Sequence, residues 1–184
     1  MGIDDHDTFS GLTQLHKAAA EGDLKKVIEC LDSGADISIR ACGESNAGKT
    51  AAMFAASGGH VDVLKAMQRG SSLLDLQSAD GGTPAMSAAA HSYGDVLQYL
   101  IEKKVNLNAQ DEDGWTALMY AVCAGNVNNV ARLVAAGADT KIKNNDGETA
   151  IQLADGKHKE KLLEALGGKL APINEGKKKG CCVM

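Results

Sequence analysis

Apolar positions along the chain come in two alternating textures. Short alanine-rich runs, such as Ala18-Ala19-Ala20 and Ala51-Ala52-Met53-Phe54-Ala55-Ala56, are each followed, after a small polar break, by larger residues spaced three and four apart. The second kind of segment carries Leu24, Val27, Ile28 and Leu31, then Val61, Val63, Leu64 and Met67, then Val96, Leu97, Leu100 and Ile101, then Val130, Leu133 and Val134. That spacing gathers the large side chains onto one buried face of a helix. A threonine opens each alanine-rich run, at Thr13, Thr50, Thr83, Thr116 and Thr149, where its hydroxyl can cap the first turn of a short helix. Pro84 directly follows one of these caps, a first helical position where no hydrogen bond is lost. Gly22, Gly59 and Gly125 fall in the polar breaks and Gly34 and Gly137 after the second segments, where a left-handed residue ends a helix. The pattern predicts a unit of helix, tight turn, helix and long finger.

The last four of those threonines lie 33 residues apart, and the first precedes them by 37. Five copies of one unit thus run from residue 10 to residue 166, and none is long enough to bury its apolar face without stacking on a neighbour. The chain resembles the ankyrin-repeat proteins, whose 33-residue unit opens on Thr-Pro-Leu-His. Thr13-Gln14-Leu15-His16, Gly22, Gly34-Ala35-Asp36, Gly59-His60, Gly125 and Gly137-Ala138-Asp139 carry the resemblance. It implies an all-α solenoid of five stacked helix-turn-helix units with extended, β-hairpin-like fingers. The division it suggests is a disordered lead over residues 1–9, the repeats over 10–166 with the last unit as a cap, and a flexible tail over 167–184. The lysines and glutamates around Leu162, Leu163 and Leu166 suit a cap whose outer face meets water. Departures from the family pattern are local. The family histidine survives only as His16, with Met53, Met86 and Met119 in its place, and Ser92, Ser71 and Lys104 stand where turn glycines are expected. Units two and three are therefore expected to open more readily than unit four.

Composition narrows the function classes. The net charge of -5 leaves no broad basic surface, which argues against nucleic-acid binding. Cys30, Cys42, Cys123, Cys181 and Cys182 show neither zinc nor redox spacing, and the acidic start, with Asp4, Asp5 and Asp7, is unlike a secretory signal; a reducing compartment is expected. No stretch of apolar residues is long enough to span a membrane. His6, His16, His60, His91 and His158 fall in different units or in the lead, with no carboxylate or cysteine at ligand or catalytic spacing. The expectation is a protein without catalytic activity, cofactor or metal.

One stretch matches a nucleotide-binding pattern: Gly43-Glu44-Ser45-Asn46-Ala47-Gly48-Lys49-Thr50. A phosphate loop needs a buried strand leading in and a parallel sheet beneath it. Only the brief Ile37–Cys42 segment precedes it, and the four-residue excess between the first two units lies here, so a lengthened finger is the expectation.

A partner is expected on the finger tips and the exposed side of the first helices, a surface that per-unit rotation makes continuous. Lys49, Gly82, Trp115 and Glu148 are read as tips, and Lys17, Phe54, Ser87 and Tyr120 as the outward positions of the first helices. Trp115, Tyr120, Phe54 and His91 are the candidate contact residues, with Asp80, Asp111, Asp113 and Asp146 along the finger edge favouring a basic partner. Two roles stand open for Trp115: an exposed anchor, or trim that stiffens the stack. Asn108 occupies the finger position where some members of the family are hydroxylated; its alternative is turn stabilisation.

After Leu166, Gly167-Gly168, Pro172 and Gly176 release the chain as a strap. The last four residues, Cys181-Cys182-Val183-Met184, have the form of a prenylation box with a farnesyl-type end, and Lys177, Lys178 and Lys179 precede it. A lipid on Cys181 and three lysines near anionic lipids together give stable attachment at a cytoplasmic membrane leaflet. The resulting expectation is a monomeric protein-binding adaptor tethered there; the alternatives are a soluble inhibitor of an enzyme such as a kinase, and a bacterial effector lipidated by its host.

Overall fold

The computed structural model describes residues 2–7, 10–43, 46, 48–68, 71–155 and 159–167. The tail lysines, Cys181 and His158 lie outside the described residues. Among the described residues, ten α-helices follow one another in pairs: α1 (Gln14–Glu21) and α2 (Leu24–Asp32), α3 (Ala51–Gly58) and α4 (Val61–Ala66), α5 (Pro84–Ala90) and α6 (Gly94–Glu102), α7 (Ala117–Cys123) and α8 (Val127–Ala135), α9 (Ala150–Leu153) and α10 (Lys159–Ala165). A 3-10 helix, Ser71–Asp75, stands between the second and third pairs.

The helix boundaries follow the capping chemistry. Thr13, Thr83 and Thr116 accept hydrogen bonds from the backbone N–H three residues on, at His16, Met86 and Met119. Gly22 and Gly59, at φ of 72° and 80°, end α1 and α3. Two of the three substituted turn positions adopt the same left-handed backbone without glycine, Ser92 with φ 64° and Lys104 with φ 57°, whereas Ser71 opens the 3-10 helix. Loss of the family histidine is partly made good in the second unit, where Met53 Sδ accepts the Thr50 N–H at 3.4 Å.

The helices form two layers. The odd-numbered helices stack on one another and the even-numbered helices behind them do the same. Alanine is what allows the first layer to pack closely: Ala19, Ala55, Ala56, Ala88, Ala89 and Ala121 are wholly enclosed. The second layer contributes Val27, Val63, Leu64, Val96, Leu97, Leu100, Val130, Leu133 and Leu162, all fully buried, so one continuous core runs along the stack. Ile28 departs from the expected buried row and is 44% exposed, because the enclosed face of α2 is Val27, Cys30 and Leu31, the side that α1 and α4 cover.

Residues 2–7, read from sequence as a disordered lead, lie against the first pair. Asp4 Oδ1 accepts the Asp36 N–H at 3.1 Å, His6 Nε2 donates to the Arg40 carbonyl at 2.8 Å, and Asp7 pairs with Lys17.

The fingers are tight loops rather than strand ladders. Two isolated antiparallel bridges occur among the described residues, Arg40 with Thr50 and Lys143 with Thr149. The turns close through Ser78 N–H to Gly82 O at 2.9 Å, Asp111 N–H to Trp115 O at 3.1 Å and Asn144 N–H to Glu148 O at 2.9 Å.

Candidate functional site: the finger row

Neighbouring fingers are tied together by side chains one unit apart. Gln77 Nε2 donates to Gly81 O within its own turn at 2.9 Å and to Gln110 O in the next at 3.1 Å. Gln110 repeats the arrangement, bonding Gly114 O at 2.7 Å and Lys143 O at 2.9 Å. Arg40 does the same one unit earlier, reaching the carbonyls of Gly48 and Gln77. A second set of rungs pairs Asp75 Oδ1 with the Asn106 N–H at 2.7 Å and Asn108 Oδ1 with the Asp139 N–H at 2.8 Å. Asn108 thus holds the following finger rather than its own turn. Long polar side chains at 40, 77, 110 and 143 recur at the 37-, 33- and 33-residue offsets of the units, a signal visible in the sequence once side-chain reach is considered alongside hydrophobic period.

At the apex, Glu112 N–H donates to Asp80 O at 2.9 Å and Asn145 N–H to Asp113 O at 3.0 Å, so each tip leans on the last. This fixed scaffold carries a row of exposed carboxylates, Asp80, Asp113 and Asp146, joined by Glu112 and Glu148, the latter half-buried. Partial burial pushes the Asp80 carboxyl up. The hydrogen bonds it accepts from Ser78 and Gly82, together with the nearby Lys49 charge, outweigh that and hold it below the ordinary carboxylate range.

Trp115 is a correction to the expected exposed tip. With Lys49, Gly82 and Glu148 it is half-buried, since each of these positions closes its turn from inside, while at Gly82, Trp115 and Glu148 the three residues before it form the apex. The Trp115 indole packs on the core and on the Tyr120 ring, with centroids 5.3 Å apart. Asp111 organises the pair: it accepts the Trp115 N–H at 2.7 Å, the Asp113 N–H at 3.1 Å and the Tyr120 hydroxyl at 2.6 Å. Burial, then the hydrogen bond to Asp111 and its charge, push the Tyr120 phenol far above its usual range. Tyr120 is half-buried, as is Phe54 two units earlier, which meets His16 of the first unit edge-on at 5.6 Å. His91 is exposed but belongs to the other end of α5, where it stacks with Tyr93 beside the turn into α6 at 6.2 Å. The finger row therefore gathers the acidic residues, Trp115 and Tyr120, with Phe54 on the adjoining layer and His91 apart.

Of the segment 43–50, the described residues Gly43, Asn46 and Gly48 to Thr50 lie in a finger. Ala41 N–H donates to Lys49 O at 2.8 Å, Gly48 N–H to Ala41 O at 2.9 Å, and Thr50 leads into α3. Among the described residues the chain entering it makes one β-bridge, Arg40 with Thr50, and no strand or sheet that would support a phosphate cradle lies beneath it. Among the described residues no group of three or more histidine, cysteine, aspartate or glutamate side chains is placed to hold a metal, and no helix is long and apolar enough to cross a membrane.

Paired short helices in two layers, with their connecting loops bonded at unit spacing, define a helical repeat solenoid, a class whose members stack identical modules into one body. A family profile described as "Ankyrin repeats (3 copies)" matches residues 15–111, 70–144 and 104–175, and the chain belongs to the ankyrin-repeat family. Such repeats are typically non-enzymatic modules for protein interaction. Over 42 residues the chain is 57% identical to "Phytochrome-interacting ankyrin-repeat protein 1" of Arabidopsis thaliana; the match covers 23% of this chain and 23% of that protein.

Proposed function

We propose that this chain is a non-catalytic adaptor of five ankyrin units, the last serving as a cap, that receives a basic segment of a partner protein along its finger row. The observation that carries the reading is the row of exposed carboxylates, Asp80, Asp113 and Asp146, held in register by the Gln77 and Gln110 rungs beside the Trp115–Tyr120 pair. A polar rim of one sign around a rigid aromatic floor favours a complementary charged segment and rejects like-charged ones. A relative described as phytochrome-interacting agrees with a protein as partner.

The adaptor works at a membrane. With Met184 as the terminal residue, the Cys181 thiolate displaces diphosphate from a farnesyl donor and forms a thioether, and Lys177, Lys178 and Lys179 hold the strap to anionic lipid. Each lysine adds on the order of 1 kcal/mol at such a surface, enough to convert the reversible attachment of a single lipid into a stable one. The acidic stack is monomeric and stands off the cytoplasmic leaflet.

Quantitative capture from a eukaryotic lysate tests both halves. Asp80→Asn, Asp113→Asn and Asp146→Asn together abolish salt-sensitive retention of the partner, and Cys181→Ser moves the protein from membrane to soluble fractions. Retention unchanged in the triple variant overturns the finger row as the docking edge. An unmodified C-terminus in the intact mass of protein made in eukaryotic cells overturns the tether.

A further inference from the structure

The edge opposite the fingers, where each first helix turns into the second, carries a groove of about 830 Å³. It runs from Gly59, at the α3–α4 turn, past Tyr93 and Gly94 at the start of α6, past Asn126 at the start of α8, to Lys161 on α10. Its charge opposes that of the molecule. Its lining carries Arg132 and Lys161 against one acidic residue, Asp95, on a chain whose net charge is -5.

Asn129 is the residue in this wall that the fold does not explain. It is fully buried, on the face of α8 whose counterparts 33 residues away in either direction, Val96 and Leu162, are also fully buried. Val63, a further unit back, occupies the same column. An asparagine there costs stability unless its amide is used, and Asn129 Nδ2 has no hydrogen-bond partner. Its Oδ1 accepts from Arg132 Nη1 at 3.4 Å, so the amide and the guanidinium form one unit in the groove wall. Gly94 makes room for this unit, since a Cβ at that position would lie 2.3 Å from Arg132 Nη1. The nine-residue helix α6 begins at Gly94 without a side-chain cap, and its first turn, which carries Asp95, borders the same space.

We propose that this groove binds an acidic peptide segment of a second protein. A carboxylate is taken by the Arg132 guanidinium, completed by the Asn129 amide and the first turn of α6, with Lys161 steering the approach and the 37%-exposed Tyr93 ring covering a neighbouring apolar residue. Two features select a peptide over a free anion: the groove extends over the turns of three successive helix pairs, and an exposed aromatic lies beside its charges. The site is separate from the finger row and of opposite sign, so the chain can hold a basic and an acidic partner at once.

The test uses the full-length protein and a fluorescein-labelled octapeptide alternating Glu and Leu, followed by fluorescence anisotropy at low salt. The expected result is saturable binding that Arg132→Glu weakens roughly tenfold or more, through loss of the charge-assisted hydrogen bonds. The side-chain NH2 resonances of Asn129 shift during the titration. Asn129→Val also weakens binding, yet raises the unfolding midpoint by roughly 2–4 °C, because it restores the apolar column and removes an unpaired group. The finger triple variant binds the peptide as the wild type does. Equal affinity in Arg132→Glu, a stationary Asn129 amide, or absence of saturation overturns the proposal. So does inorganic phosphate alone, if it moves the same amide and displaces the peptide at matching concentration, since that defines a free-anion site.

Discussion

His16 shows how one side chain can make a repeat pH-sensitive. It is almost wholly buried, its Nδ1 accepts the Thr13 N–H at 3.1 Å, and its Nε2 therefore carries the proton and donates to the Ile39 carbonyl at 3.1 Å. Burial, with the neighbouring His6, lowers its pKa from the ordinary 6.5 in spite of the bond to Ile39. The unfolded chain then binds the proton more readily than the folded one. The contribution of His16 is complete above about pH 6.5 and is lost as pH falls from there through the depressed folded value. His16→Met, which installs the residue found at 53, 86 and 119, should flatten that part of the fall in thermal midpoint between pH 7.5 and 5. Ser92 and Lys104 offer a second measurement at this scale. Both hold a left-handed backbone that costs a residue with a Cβ about 1 kcal/mol, so Ser92→Gly and Lys104→Gly should each move the urea midpoint upward.

At the scale of the element, the finger is a turn whose conformation is set by its neighbour as much as by itself. Gln110→Ala removes bonds to Gly114 and Lys143 together, an expected loss of about 1–2 kcal/mol in chemical denaturation, with faster amide exchange at residues 111–115 and 144–148. Trp115→Ala reaches further than a surface anchor would. Its ring packs against Tyr120 and the core, and truncation should destabilise by about 2 kcal/mol in the same assay. The helices and their caps were legible in the sequence because threonine, glycine and the apolar period act within a few residues. The depth of Trp115 was not, since it depends on which member of a five-residue turn faces inward. Nor was the place of His91, which sits close in sequence to the outward face of α5 but turns the corner with its C-terminus.

For the whole molecule, unequal units imply an order of opening. Helix α4 has six residues where α2, α6 and α8 have nine, and the third pair carries both strained turn residues. Native-state hydrogen exchange should show the second and third pairs less protected than the fourth, with the difference reduced in Ser92→Gly. The stacking direction and the two-layer core followed from the 33-residue spacing. The basic groove did not: Asp95, Asn128 and Lys161 share one column of the repeat, but the period fixes positions and not the charge of the side chains that fill them. The one cue in the chain, Asn129 in an otherwise apolar column, is visible only when the units are aligned with one another.

The rungs at Gln77 and Gln110 are interchangeable, and that makes the array extensible. Excising residues 78–110 would join Gln77 to Asp111, leaving its amide four positions before Gly114 and one module before Lys143, the acceptors Gln110 uses. Nothing in the seam would register the missing brick. A shortened chain of this kind should still close, and lengthening by duplication should do so too, letting the number of carboxylates presented to a partner be dialled by gene arithmetic alone.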